Sequence, residues 1–298
     1  ANSYWALGRY AEAEPLYKRS LAIREKLLGP DHPDVASSLN DIGECYVKEG
    51  RYAEAEPLYQ RALAIREKSL GPAHPHVALV LNDLAWLYGT QGRYDEAEPL
   101  YKRSIAITEK AVGPDHPQLA AALNGLAGLY NVKGQYAEAV SVYKRLMAIE
   151  EKTLGPDHPN MEVILNNLAI LYKNQGHYAE AEPLYQRALA IAEKVRGPDH
   201  PEVATSLANL GELYVTLGRY AEAEAACRRS LAIREKALGP DHQKVATVLM
   251  ILGLLYTEQG RYEEAEPLCK RALAIKEKAL GPEHPDVASG YWCLSLLY

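Results

Sequence analysis

The chain has 298 residues, a net charge of −6 and 48% hydrophobic residues. That mildly acidic balance offers no basic footprint for nucleic acid or for an anionic membrane. The most apolar run, Val245 to Tyr256 with Thr247 interrupting it, is too short to cross a bilayer, and no secretory signal is visible.

From the N-terminus onward the chain repeats itself. Gly-Pro recurs at Gly29, Gly71, Gly113, Gly155, Gly197, Gly239 and Gly281, always 42 residues apart, and a second glycine keeps step from Gly8 and Gly50 through Gly92 to Gly260. A fixed period in this range is the mark of a stacked repeat array, which overrides the two domains that length alone implies. One array over 1–298 is expected, with units opening at 29, 71, 113, 155, 197 and 239 and partial units at 1–28 and 281–298. The chain starts without Met, and residues 1–7 read as the tail of a helix A. A helix B follows over about Ala11–Leu27, then six complete A/B pairs, then a lone helix A over Pro285–Tyr298.

The unit from Gly71 to Val112 shows why. Val77, Leu81, Leu84, Ala85 and Tyr88 share one face of helix A. Pro75 suits a first helical position, and the Asp or Glu that other units carry in the Ala73 slot is expected to accept from the free N–H groups there. Gly92 supplies the positive φ that ends the helix. Helix B is expected over Asp95–Ala111, with Ala97, Tyr101, Ser104, Ile105 and Ile107 inward and Pro99 in its first turn. Each pair leaves one apolar side for the next pair to cover.

Leu81, Leu84, Ala85, Tyr88, Gly92, Tyr94, Ala97 and Tyr101 resemble the tetratricopeptide repeat (TPR) pattern. The 42-residue unit with LNDLA, RYDEAEPLYKR and GPDHP is similar to the repeats of kinesin light chain, and Glu109 stands where shorter family units close with proline. The resemblance covers the whole chain. It implies an all-α fold: a right-handed superhelical α-solenoid of antiparallel helix pairs with an extended helix B and a concave groove lined by helix A. It also implies a protein or peptide partner, no cofactor and no catalysis.

The residues carry no catalytic or metal motif of their own. The loop histidines His32, His74, His116, His158, His200, His242 and His284 come one per unit without a second ligand at metal spacing, and are expected to serve turns and caps. Glutamates such as Glu14 and Glu98 precede Lys18 and Lys102 by four residues, an arrangement that supports helices. The four cysteines are read as no disulfide framework: Cys227 and Cys269 share a slot in neighbouring units, about 10 Å apart by helix packing, while Cys45 and Cys293 stand alone. Free thiols of this kind point to a reducing compartment, the cytoplasm. Of the 21 tyrosines, all but Tyr291 fall in the Tyr88, Tyr94 and Tyr101 slots, read as core and inter-helix packing.

On the implied groove face, Trp5, Trp86 and Trp292 occupy different slots and none recurs, so repeat packing does not account for Trp86. An asparagine ladder runs through Asn40, Asn82, Asn124 and Asn166, with neighbours Asp41, Asp83 and Asn167. Amides can pair with the backbone of an extended peptide, and the resemblance assigns them that role; solvated amides of a repeated consensus are the alternative. Beyond Asn166 the slot reads Ala208, Met250 and Trp292, with Ile251 and Leu254 nearby, so the groove turns apolar. Groove charges include Lys48 and Lys173 but also Asp41, Glu44, Asp83, Glu212 and Glu258, which argues against the acidic, tryptophan-containing peptides that kinesin light chain prefers.

Two functions follow as expectations. One is a scaffold that binds a peptide segment through Asn40, Asn82, Asp83, Trp86, Asn124, Asn166, Asn167, Ala208, Met250 and Leu254. The other is a structural spacer without a dedicated ligand. Because both ends fall within the same helix A, head-to-tail self-association is also expected, with Leu294, Leu297 and Tyr298 of one copy meeting Tyr17 and Leu21 of the next.

Overall fold

The computed structural model describes residues 4, 5 and 7–297. Among them are fourteen α-helices, α1 (Tyr10–Leu28), α2 (Pro33–Lys48), α3 (Tyr52–Leu70), α4 (Pro75–Thr90), α5 (Tyr94–Val112), α6 (Ala120–Val132), α7 (Tyr136–Leu154), α8 (Pro159–Asn174), α9 (Tyr178–Arg196), α10 (Pro201–Thr216), α11 (Tyr220–Leu238), α12 (Gln243–Glu258), α13 (Tyr262–Leu280) and α14 (Ala288–Ser295). Even-numbered helices are the A helices and odd-numbered ones the B helices. The chain forms two compact units, 1–153 and 154–298. The first stacks α1 and the pairs α2/α3, α4/α5 and α6/α7. The second stacks α8/α9, α10/α11, α12/α13 and α14.

The α4/α5 pair shows how sequence makes the layer. Val77, Leu81, Leu84, Ala85 and Tyr88 of α4 and Ala97, Tyr101, Ser104, Ile105 and Ile107 of α5 are all buried, as their spacing predicts. Gly92 turns the chain between the helices at φ 76°, and Gly113 leaves α5 at φ 98°, conformations that cost a side chain dearly. Small residues let the A and B helices touch. A Cβ on Gly43 would lie 2.8 Å from the Tyr59 ring.

Several expectations need correction. Each helix B starts at the tyrosine of the Tyr94 slot, which is half-buried rather than fully inside; Tyr178 and Tyr220 pack against the core, and Tyr262 is 54% exposed. Pro99 therefore lies in the second turn of α5. The loop acids are not the helix caps. Asp115, Asp157 and Asp199 bind Lys152, Lys194 and Lys236 at 2.8, 2.6 and 3.0 Å, and the cap is the histidine. Nδ1 of His200 accepts the Glu202 N–H at 3.2 Å, and the other six loop histidines do the same two residues on. The helix-forming 285–298 segment begins as a 3₁₀ turn over Pro285–Val287 and α14 ends at Ser295.

The cysteine reading also fails in part. Cys269 on α13 and Cys293 on α14 form a disulfide with Cα atoms 5.6 Å apart, leaving Cys45 and Cys227 free and buried. Comparing equivalent slots missed this, because a helix B cysteine faces the following helix A, not its own copy in the next unit. Burial raises the remaining thiols, Cys45 to about 11 and Cys227 to about 12.

Candidate groove on the first unit

The glutamates that precede Lys18 and Lys102 do pair with them, at 2.6 and 2.7 Å, but they also reach the next repeat. Glu56 accepts from the Tyr88 hydroxyl at 3.1 Å and from Arg93 Nη1 at 2.7 Å, and the Arg93 guanidinium lies 3.9 Å from the Tyr88 ring centroid. Glu14 makes the same latch with Tyr46 and Arg51, Glu182 with Tyr214 and Arg219, and Glu224 with Tyr256 and Arg261. Sequence reasoning treated these glutamates as intrahelical. The common offset of 32 residues from Glu56 to Tyr88, shared by the other three latches, could have revealed the second partner.

With the latches fixing adjacent repeats, the A helices of the first unit present a row of polar side chains. Asn40 Nδ2 donates to Asp83 Oδ2 at 3.0 Å across neighbouring repeats, and the Asn82 amide beside Asp83 lowers its carboxyl. The amide oxygens of Asn40 and Asn82 are buried without a donor. Burial lifts the Asp83 carboxyl above its usual range, more than the amides and Arg66 lower it. Glu44 is raised by burial and then by Asp83 and Asp41, and Asp41 by burial.

Trp86 is 44% exposed and forms the wall between two cavities of 330 Å³ each. One is lined by Trp86, Tyr101, Asn124, Gly125, Gly128 and Val132, among others. The other is lined by Trp5, Glu44, Lys48, Tyr59, Asn82, Asp83 and Trp86. A third, of 640 Å³, shares Glu44, Asn82 and Asp83 and adds Asn40, Arg66 and Leu79. Gly125 helps make this space. It occupies the slot of Asp83 one repeat on, so Asn82 lacks the cross-repeat partner that Asn40 has.

The ladder is not uniform. In the second unit Asn166 is 9% exposed; its Nδ2 donates to Ser206 Oγ at 3.2 Å and its Oδ1 accepts from Asn209 Nδ2 at 3.3 Å. Ala208 is buried, Met250 and Leu254 are half-buried against the core, and Asn167 is half-buried. The structure thus brings Asn40, Asn82, Asp83, Trp86 and Asn124 around open cavities and places Asn166 and Ala208 inside packing. Of the expected self-association residues, Tyr17 is buried, Leu21, Leu294 and Leu297 are half-buried, and Tyr298 lies outside the described residues. Among the described residues no group of His, Cys, Asp and Glu is arranged to hold a metal, and no helix is long and apolar enough to cross a membrane.

The tetratricopeptide repeat profile matches in overlapping segments from 1–68 through 36–110, 91–149, 118–194, 160–236 and 209–277 to 244–298. The chain belongs to the tetratricopeptide repeat family. Repeats of this family mediate protein–protein interaction or scaffolding. No curated protein matches this TPR chain. Solved structures do. It is 30% identical to a kinesin-light-chain-like protein of nearly identical TPR-like repeats from Podosopora anserina, over 70% of this chain and 98% of that one, with a TM-score of 0.60. BtubC (BKLC) from P. vanneervenii shares the fold at 24% identity and a TM-score of 0.65, over 80% of this TPR chain and 93% of that chain. A tetratricopeptide repeat protein from Parabacteroides merdae shares it at 21% identity and a TM-score of 0.65, over 99% and 95%.

Proposed function

We propose that this TPR array is an interaction scaffold that binds an extended protein segment along the A helices of its first unit. The observation that carries the reading is Trp86, a large exposed aromatic shared by two cavities, with the donor-free amide oxygen of Asn82 in one and the exposed amide of Asn124 in the other. An aromatic anchor flanked by unsatisfied polar groups suits a peptide, whose side chains fill cavities while its N–H groups meet acceptors. Burying such oxygens without donors costs about 1–3 kcal/mol each. Asn166, Asn167, Ala208, Met250 and Leu254 are assigned to support of the second unit in this reading, with the ligand held on the first.

The test is selection from a random peptide library on the full chain, followed by affinity measurement on Trp86→Ala and on Asn82→Ala with Asn124→Ala. Each is expected to weaken the selected segments by about tenfold or more. A spacer role, the alternative, predicts no selected peptide, or peptides whose binding these variants leave unchanged.

A further inference from the structure

We infer that the cavities around Asp83 take a cationic side chain of the bound segment, arginine in preference to lysine. This rests on the groove reading above and names the chemistry of its ligand. Asp83 accepts from Asn40 Nδ2 and is lowered by the adjacent Asn82 amide, and each of these side chains also carries an amide oxygen. Those two oxygens are buried and unpaired. An ionised carboxylate with amide oxygens left over beside it favours a ligand rich in donors.

Glu44 and Asp83 line both the 330 Å³ cavity beside Trp86 and the 640 Å³ cavity next to it, and each cavity has one cation of its own, Lys48 in the first and Arg66 in the second. Arg66 is buried and donates to the His76 carbonyl at 2.9 Å; Arg24, the other cation near Asp41, donates to the Asp34 carbonyl and Ser38. These cations leave Asp41, Glu44 and Asp83 raised by burial, which is to say under-compensated. An added positive charge is therefore stabilised here, and an acidic side chain is repelled.

Trp86 and Trp5 line the smaller cavity together with Glu44 and Asp83. A guanidinium can stack on an indole face and still direct its in-plane N–H groups to carboxylates and amide oxygens, whereas an ammonium offers fewer donors and is held more strongly by water.

The experiment is a titration of the full chain with L-argininamide, followed through the indole N–H signals of its three tryptophans, each assigned by a Trp→Phe substitution. L-Citrullinamide, which keeps the α-ammonium but has a neutral side chain, is the control, and N-acetylglutamate is the acidic probe. Argininamide is expected to move the Trp86 signal saturably and citrullinamide about tenfold more weakly or not at all. In Glu44→Gln with Asp83→Asn, a variant of unchanged shape, the difference between the two amides should vanish. An equal response to citrullinamide, a preference for N-acetylglutamate, a response that survives the double variant, or no response at all would overturn the inference. The library selection separates this from the groove reading. Selected peptides without arginine or lysine sink the cation site alone, whereas an argininamide response with no selected peptide sinks the peptide groove alone.

Discussion

Cys269 on α13 is bonded to Cys293 on α14, 24 positions on, the same offset that sets the Tyr101 ring against Gly125. Each B-helix residue of this slot faces a fixed position on the next A helix, and at one end of the array both happen to be cysteine. In denatured, unreduced protein, thiol labelling should therefore report two thiols, Cys45 and Cys227, and four after reduction. Closing a loop of this length contributes about 3 kcal/mol, so Cys293→Ser should lower stability by up to that amount under oxidising conditions and much less under reducing ones. The same offset places Ile251 opposite Cys227, and Ile251→Cys should form a second disulfide under mild oxidation. Failure of that pair to form would contradict the geometry.

How much of this could be read beforehand differs residue by residue. Leu81 and Tyr101 were legible because a face recurring at helical spacing must be buried, and Gly92 because only a turn needs its φ. The Tyr94 slot was legible only in part, because recurrence alone does not tell a buried position from a half-buried one at the edge of the core. The asparagines show the limit most clearly. Asn82 and Asn166 are the same letter in the same slot, but their surroundings are set 43 residues on, by Gly125 in one case and by Asn209 in the other. Sequence periodicity reports what repeats share, and a binding site is made of what they do not share.

Gly125 and Gly128 lie one turn apart on α6 with opposite roles. A Cβ on Gly125 would sit 2.5 Å from the buried Tyr101 ring, whereas one on Gly128 meets nothing within 4 Å. Gly125→Ala should destabilise by about 1–3 kcal/mol through overpacking. Gly128→Ala should stabilise by about 0.5–1 kcal/mol through helix propensity. Urea denaturation of the two variants checks both signs.

Glu98 is held down to about 2, by hydrogen bonding to Lys102 first and then to Lys133. A carboxylate lowered in the fold contributes stability that is complete above its unfolded value, about 4.3, and is lost as pH falls from there through the folded value. Glu98→Gln should thus cost about 1 kcal/mol at neutral pH, with the gap to the unaltered chain closing as pH drops from about 4 to about 2. A gap that stays constant with pH would show that the charge contributes nothing.

Asp83 has the opposite sign. Its carboxyl is raised by burial, so the group is neutral in both states below about 4, and stability is lost as pH rises through the folded value. Asp83→Asn should raise the denaturation midpoint at neutral pH, and the gain should disappear in acid. A residue that costs the fold stability while facing an open cavity is what a binding role entails. A destabilised Asp83→Asn chain would mean that the carboxylate serves packing instead.

The binding surface itself is tested most directly by hydrogen exchange of the full chain with and without a segment selected from the peptide library. The account predicts slowed exchange in α2, α4 and α6, centred on the turns carrying Asn40, Asn82, Trp86 and Asn124, with the B helices α3 and α5 changing less. Protection that falls instead on the B helices, on the histidine-capped loops, or only within the second unit would contradict it.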